Sequence, residues 1–279
     1  MSSNSLKNKV VVITGGSGGI GSAIVNKLSN YGASIVSVYN KNHPDEQSDE
    51  SVLLVKANIT KSEDWDRLFA FTFNKYGKID VLINCAGFLE PGDFLSLRED
   101  QLRKMIDINF TSVISGIQKT LMIMKKQGFG HIINIGSLGG IVPMPYSAIY
   151  SATKFALRGF TFSLAEELKR TGIKLSLVTP GSVISKMLDC EAHDNDTAIS
   201  FVSKPISPVK VADAVLKVIL KPRVELIIPR SQSIGSKLLI FSPKLFSCLY
   251  KILHRIGISE KRKYLNRYCG FTLAKGALR

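Results

Sequence analysis

Residues 9–21, KVVVITGGSGGIG, decide how this chain folds. The first six form an unbroken run rich in β-branched side chains, which is typical of a strand buried on both faces. A glycine-rich turn follows, and residues 22–32, SAIVNKLSNYG, carry apolar side chains at helical spacing and end at a glycine. Strand, glycine turn and helix in this order are the context that a nucleotide-binding glycine motif requires. An ordinary glycine-rich loop is the alternative.

Each glycine of the turn has its own expected role. Gly15 permits the tight turn, and Gly19 lets backbone amides approach a pyrophosphate. Gly21 lets the helix pack close to the strand, so that phosphates rest at the helix N-terminus. The sequence therefore predicts a dinucleotide site at this turn.

The alternation of strands and helices continues along the chain. Strand-like runs cover residues 33–40, 51–58, 79–87, 130–137, 172–181 and 224–229, and helical patterns cover 62–77, 100–128 and 150–172. Such alternation implies a parallel sheet covered on both faces. Right-handed crossovers then make it a doubly wound α/β sheet, a Rossmann fold, with the ligand at the carboxyl ends of the strands. We predict a single α/β domain over residues 1–229 and a basic helical extension over residues 230–279.

The end of the second strand bears on the choice of dinucleotide. An NAD-specific site normally places Asp or Glu there, to bind the ribose 2′-hydroxyl. Tyr39, Asn40 and Lys41 stand in that place instead. No carboxylate repels a 2′-phosphate and Lys41 could pair with one, so NADP is favoured over NAD. A solvated lysine on a loop is the alternative.

A second motif lies in residues 137–154, SLGGIVPMPYSAIYSATK. Tyr150 and Lys154 are four residues apart, so on a helix they share one face, about 5–6 Å apart at Cβ. A free phenol has a pKa of about 10, and a neighbouring ammonium lowers that pKa. We expect Lys154 to lower the pKa of Tyr150 while Ser137 holds a substrate oxygen. By itself this spacing also suits a solvated helix face, and its weight comes from the glycine turn upstream.

Together these motifs resemble those of the classical short-chain dehydrogenases/reductases, over about residues 8 to 229. Residues 14–21 are similar to the family's TGxxxGxG turn, and residues 84–87, NCAG, to its NNAG element. Asn109 in IDINF, Ser137, and the Tyr150–Lys154 pair match the family's catalytic positions. Residues 180–185 resemble its PGxxxT loop, with Ser185 in place of Thr.

The resemblance implies roles for the matched residues. Tyr150 would be the general acid for carbonyl reduction and the base for alcohol oxidation. Lys154 would bind the nicotinamide ribose, Ser137 would orient the carbonyl, and Asn109 would hold a water in a proton relay. With Tyr150 and Lys154, the implied cofactor-binding positions are Gly15, Ser17, Gly19, Ile20, Gly21, Tyr39, Asn40, Lys41, Asn58, Ile59, Asn84, Ala86, Gly87, Pro180, Gly181, Val183 and Ser185.

Three positions depart from the family pattern. Asn58 stands where an Asp usually touches the adenine, and Gly18 where NADP-preferring members often carry Arg. Cys85 replaces an Asn, which leaves one structural hydrogen bond in question. A catalytically inactive dinucleotide-binding sensor or scaffold on the same fold is the alternative to an enzyme.

The expected substrate is a hydrophobic, lipid-like carbonyl or alcohol. The residues between Ser137 and Tyr150 are largely apolar, and among them Leu138, Met144 and Tyr146 are the predicted substrate contacts. Packing in the core or between subunits is the alternative role for these side chains. Residues 186–208 are polar and irregular in pattern, and are predicted to form a mobile lid over the substrate.

The last 50 residues carry about two thirds of the net positive charge of this chain. Of a net charge of +15 over 279 residues, 11 Lys and Arg lie from Arg230 onward, against Glu260 alone. Residues 242–257 read as an amphipathic helix with Ser242 as N-cap and Gly257 as its end, basic on one face and apolar on the other. This pattern is typical of a helix at an anionic membrane surface, or of one packed on the enzyme's own substrate lip or on another subunit. The apolar content argues against a nucleic-acid partner.

Composition excludes other classes. No apolar run is long enough for a signal peptide or a membrane span, and the four Cys and four His show no disulfide or metal-site spacing. We therefore expect a cytoplasmic protein without a metal site, either free in the cytoplasm or peripheral on the membrane surface. The resemblance implies a homodimer or homotetramer formed through the long helices near residues 101–127 and 147–171.

Overall fold

A computed structural model of the chain describes residues 5–41, 49–194, 196–231 and 243–268. These residues build one parallel sheet in the order β3-β2-β1-β4-β5-β6-β7. The strands are β1 Val10–Thr14, β2 Ser34–Tyr39, β3 Val52–Lys56, β4 Val81–Asn84, β5 Gly130–Ile135, β6 Ile173–Pro180 and β7 Glu225–Ile228. The predicted doubly wound fold is confirmed. Because the strand order reverses between β1 and β4, a crevice opens at their carboxyl ends.

Helices cover both faces of the sheet. They are α1 Gly19–Ser29, α2 Ser62–Tyr76, α3 Glu99–Ile106, α4 Ser112–Gln127, α5 Ala148–Glu167, α6 Lys186–His193, α7 Pro208–Leu220 and α8 Pro243–Tyr268. Successive side chains of a strand point to opposite faces of the sheet. Both faces are buried, since every residue of β1 and of β5 is buried. In β1, Val11 and Ile13 pack against α1 and α7, while Val12 packs against α2, α4 and α5.

The long helix predicted over residues 100–128 is not one regular α-helix. A π-helical segment, Asp107–Thr111, separates α3 from α4. A π segment adds a residue to the turn and re-aims the side chains within it, and such segments are frequent at functional sites. Asn109 lies in the middle of this one.

The sequence prediction missed α7 and placed the end of the last helix wrongly. Helix α8 runs through Gly257 to Tyr268 rather than stopping at that glycine. The physical reason is packing: a Cβ on Gly257 would lie 2.0 Å from the main-chain oxygen of Ala198, so the glycine allows close contact. The predicted N-cap, Ser242, lies outside the described residues.

Residues 186–208 are more ordered in pattern than the sequence suggested. They contain α6 and a 3₁₀ turn, Ile199–Phe201, which bury Leu188 and Phe201 against Tyr264 and Leu265 of α8. The extension therefore packs on the predicted lid, and the proposed mobility of the lid stays a prediction. In the described part of the chain, no helix combines the length and apolar content needed to cross a membrane.

Two glycines make the packing of α4 and α5 testable. A Cβ on Gly116 would lie 2.5 Å from the ring of buried Trp65, whereas one on Gly159, in the exposed middle of α5, would meet nothing within 4 Å. We expect Gly116→Ala to lower the free energy of unfolding by about 1–3 kcal/mol through overpacking. Gly159→Ala should raise it by about 0.5–1 kcal/mol, because alanine is the better helix former. Urea unfolding of both variants checks this, and equal effects would contradict the packing described.

Candidate active site

The glycine turn lies at the crevice between β1 and β4. Gly15 has φ of +69°, and a Cβ there would be 2.8 Å from the Cα of Ala86. A Cβ on Gly21 would lie 2.0 Å from the oxygen of Gly15. Gly21 therefore lets α1 pack closely on the turn that directly follows β1. Both glycines allow the backbone to fold tightly on itself below α1.

The N-terminus of α1 is open to an anion. Its N-cap, Gly18, provides no side-chain cap, and the first turn holds no acidic residue. Across the crevice lies the loop after β6, where the Cβ of Ser185 is 3.7 Å from a Cβ placed on Gly19. Unsatisfied amides, a helix dipole and absent side chains are what a pyrophosphate needs. The residues present therefore fit a dinucleotide.

The other predicted cofactor positions lie at the carboxyl ends of the strands. Asn40 and Lys41 are exposed just after β2. The side-chain oxygen of Asn58 accepts hydrogen bonds from the amide and hydroxyl of Thr60, at 3.1 and 2.9 Å. Contact of Asn58 with an adenine stays a prediction, since part of its side chain is already used within the loop.

The residues after β4 are held from both sides. The Thr14 hydroxyl accepts hydrogen bonds from the amides of Cys85 and Ala86, at 3.1 and 3.2 Å. Asn84 donates to the side-chain oxygen of Asn134 at 2.9 Å. Burial raises the pKa of the Cys85 thiol to about 12, so this group stays neutral.

Asn109 fixes the next part of this loop. Its side-chain oxygen accepts from the Phe88 amide at 2.8 Å, and its amide group donates to the Phe88 carbonyl at 2.7 Å and to the Thr153 hydroxyl at 3.3 Å. The side chain is committed to these partners. The predicted water in a proton relay stays a prediction, and the observed role of the side chain is to join the loop to α5.

Ser137 is positioned by close packing of the residues that follow it. Its hydroxyl accepts from the Gly139 amide at 3.0 Å, and Ser151 of α5 donates to the Gly139 carbonyl at 2.6 Å. A Cβ on Gly140 would lie 2.6 Å from the main-chain oxygen of Lys154. The turn after β5 therefore lies directly on α5, which brings Ser137 to the same wall as Tyr150.

Tyr150 and Lys154 lie on one face of α5, as predicted. The Lys154 Nζ is 5.6 Å from the centre of the Tyr150 ring and donates to the Ile135 carbonyl at 3.1 Å. Burial lowers the pKa of Lys154 to about 8.

The expected lowering of the Tyr150 pKa by Lys154 is wrong for this arrangement of the chain's own residues. Burial raises the pKa of Tyr150 to about 12, a hydrogen bond with Ser137 opposes that rise, and the charge of Glu191 adds to it. Poor solvation of the phenolate is the largest cause of the raised pKa, and Lys154 is not among the groups that oppose it. At neutral pH the phenol therefore holds its proton.

An apolar cleft of about 330 Å³ opens at Ser137 and Tyr150. Leu138 and Met144 line it, as expected of substrate contacts, whereas Tyr146 lines a neighbouring hollow. Met187 and Leu188 of the lid and Phe246 and Leu253 of α8 also line the cleft. Among the described residues, no cluster of His, Cys, Asp and Glu could hold a metal ion.

Comparison with known proteins identifies the family of this chain. The sequence model of the family described as short chain dehydrogenase matches residues 9–196. This chain belongs to the short-chain dehydrogenase family. It is an oxidoreductase that binds a nicotinamide dinucleotide.

Several relatives share most of the chain. An uncharacterized oxidoreductase from Staphylococcus saprophyticus is 40% identical over 194 residues, covering 67% of this chain and 78% of that protein. Another from Staphylococcus epidermidis is 34% identical over 221 residues, covering 78% and 93%.

Solved structures share the fold. A 3-ketoacyl-(acyl-carrier-protein) reductase from Brucella melitensis, complexed with NADH, superposes with a TM-score of 0.73 at 24% identity, over 80% of this chain and 98% of that one. An aldohexose dehydrogenase from Thermoplasma acidophilum gives a TM-score of 0.71 at 22% identity, over 81% and 94%.

Sequence reasoning missed one cleft residue of this short-chain dehydrogenase, Glu191 of α6. A signal for it exists in the sequence: in residues 186–193, Glu191 follows the apolar Leu188 by three positions, which puts it on the same face of a helix. The prediction of an irregular lid leaves this helical spacing out. Helix α8 also contributes to the cleft wall, which is one of the alternatives that the sequence leaves open for residues 242–257.

Proposed function

We propose that this enzyme is an NADP(H)-dependent oxidoreductase that interconverts a carbonyl and a secondary alcohol on a small, hydrophobic, lipid-like substrate. One observation carries the proposal. The hydroxyls of Ser137 and Tyr150 lie together in the wall of an apolar cleft, and Lys154 and the glycine turn border that cleft. An apolar cleft with few polar groups suits a hydrophobic ligand whose one oxygen is held in place.

The residues divide the work on the reacting oxygen. When bound, the nicotinamide supplies or accepts the hydride. Ser137 hydrogen bonds the substrate oxygen, and Tyr150 gives it a proton in reduction or takes one in oxidation. Because the pKa of Tyr150 is raised to about 12 by burial, the phenol is protonated at neutral pH and ready to act as an acid. Lys154 adds a positive charge that stabilises the phenolate left after transfer, and its hydrogen bond to Ile135 keeps it in place.

Replacing the phenol hydroxyl tests the assigned acid. We expect Tyr150→Phe to lower kcat for reduction of hydrophobic ketones by about 10²–10⁴-fold, because the proton path is lost. Binding of NADPH, followed by nicotinamide fluorescence, should persist. The matched control is Tyr76→Phe, at the end of α2 and outside the cleft, which should keep full turnover. Binding of NADPH without turnover by the unaltered protein would favour the inactive sensor or scaffold instead.

The preference for NADP rests on the residues after β2. Lys41 and Asn40 are exposed beside the glycine turn, whose Gly16 amide donates to the Val38 carbonyl at 3.0 Å. No acidic side chain occupies positions 39–41. A charged hydrogen bond from Lys41 to a 2′-phosphate would favour NADP.

Reversing this charge tests the preference. We expect Lys41→Asp to raise the Kd for NADPH about tenfold or more, since only NADPH carries the 2′-phosphate, and to leave NADH binding unchanged or tighter, because a carboxylate there can bind the ribose 2′-hydroxyl. Lys126→Asp is the control, because this exposed lysine lies at the end of α4, at the amino edge of the sheet. Equal loss of both dinucleotides on changing Lys41 would argue against a phosphate contact.

We also propose that α8 brings the cleft to an anionic membrane surface. Its outer face exposes Lys251 and Arg255 together with Ile252 and Ile256, which are 56% and 44% exposed. Phe246 lines both the cleft and the adjoining hollow, which Phe94 also lines. Exposed cations beside exposed apolar side chains support interfacial binding. A lipid-like substrate could then enter from the membrane.

Vesicle co-sedimentation tests this surface. We expect the double variant Lys251→Glu, Arg255→Glu to reduce binding to vesicles containing phosphatidylserine at least tenfold, because each basic residue contributes about 1 kcal/mol. The control, Lys125→Glu with Lys126→Glu, makes the same change in net charge on exposed positions of α4. A similar loss in both double variants would leave only a general charge effect and contradict a docking face on α8.

The proposal includes a cytoplasmic location and a homo-oligomer. The described cysteines Cys85, Cys190 and Cys248 are free thiols, which suits a reducing compartment. Ile106 of α3 and Met122 of α4 are exposed apolar side chains, 41% and 58% accessible, near the helices expected to join subunits. These observations support a dimer or tetramer formed through that side of the molecule.

A further inference from the structure

Glu191 is an acidic side chain in a cleft whose walls are otherwise mainly apolar. It lies on α6, lines the same cleft as Ser137 and Tyr150, and its residue is only 8% exposed. Ser200 donates a hydrogen bond of 2.6 Å to Oε1. The other carboxylate oxygen, Oε2, accepts no hydrogen bond from a described residue, and it is not one of the described buried polar atoms that lack a partner, so it is accessible. One carboxylate oxygen is therefore free to meet a ligand.

The surroundings hold Glu191 in place. Lys261 of α8 is 7% exposed, and its Nζ donates to the Asp194 carbonyl just beyond the end of α6. Thr197 donates to the main-chain carbonyl of Glu191 itself. Close contact between Gly257 and Ala198 fixes α8 against the same segment. The carboxylate is thus supported by both the lid and the extension.

The charges around Glu191 select the ligand. Burial raises its pKa to about 7, and the positive charge of Lys261 opposes that rise. Lys261 already offsets part of the carboxylate charge, so a cationic ligand group gains less there, and an anionic one is repelled by Glu191. A neutral group that donates a hydrogen bond needs no further charge and satisfies Oε2. A hydroxyl on an apolar molecule has this chemistry.

We propose that Glu191 and Ser200 form a second polar subsite, which binds a hydroxyl carried by the hydrophobic substrate away from its reacting carbonyl. This inference rests on the proposed function, because it assumes that the reacting carbonyl lies at Ser137 and Tyr150. It narrows the substrate class to hydroxylated ketones and the corresponding diols. A buried carboxylate in an apolar wall costs solvation energy, and a ligand hydroxyl gives it a partner.

The test compares matched substrates in the full-length protein with NADPH. The probes are a medium-chain methyl ketone and a series of its hydroxylated derivatives, with the hydroxyl moved stepwise along the chain. Selectivity is the ratio of kcat/KM for the best hydroxyketone to that for the plain ketone. We expect Glu191→Leu to lower this ratio at least tenfold, because a site built to accept a hydrogen bond is lost. Glu191→Gln keeps an acceptor oxygen and should lower the ratio less. The control is Cys190→Ser, which changes an exposed residue of the same helix and should leave the ratio unchanged.

The outcomes separate this subsite from a structural role and from the proposed function. An unchanged ratio in Glu191→Leu, or an equal loss of kcat/KM for all ketones, would overturn the subsite. If the unaltered enzyme binds NADPH but reduces no ketone, the proposed function fails, and binding of probe alcohols then tests the subsite alone. In the unaltered protein, nicotinamide fluorescence should show that a diol binds at least tenfold more tightly than its matched single alcohol. In Glu191→Leu, the diol and the single alcohol should bind with equal affinity. If the two ligands already bind with equal affinity in the unaltered protein, the subsite is overturned without reference to turnover.

Discussion

The backbone of Gly140 lies so close to the main chain of Lys154 that no side chain fits between them. This contact joins the turn after β5 to the first half of α5, and the hydrogen bond from Ser151 to Gly139 reinforces it. Ser137 begins that turn, and Tyr150 lies near the start of α5. The two hydroxyls face one cleft only because the turn and the helix approach this closely. A side chain at Gly140 would push them apart, and the proposed chemistry depends on their shared position.

Desolvation governs the charges in this cleft. Burial raises the pKa of Tyr150 and of Glu191 and lowers that of Lys154, so each group is moved toward its neutral form. In a site of low dielectric constant, any two charges that do form interact more strongly than they would in water. Burial therefore keeps the phenol of Tyr150 protonated at neutral pH, as its proposed role as an acid requires.

The C-terminal extension is part of the active-site structure. Tyr264 and Leu265 pack on the lid, while Phe246 and Leu253 form cleft wall. Its inner face thus packs on the enzyme's own substrate lip, one of the three roles open from the sequence. Its outer face carries the cations and isoleucines on which the proposed membrane contact rests. The same helix can shape the cleft and present that cleft to a surface.

The sequence by itself determined the fold class and the shared helix face of Tyr150 and Lys154. The run 9–21 and the spacing from Tyr150 to Lys154 are local patterns, and local patterns dictate strand, turn, helix and shared helix face. Tertiary structure alone decided the protonation of Tyr150, because desolvation depends on groups far apart in the chain, among them Ser137 and Glu191. It also decided that α8 passes Gly257, since the close contact with Ala198 comes from another segment. Tertiary structure likewise decided which carboxylate oxygen of Glu191 is accessible, because only the packed lid shows that Ser200 is the partner of Oε1.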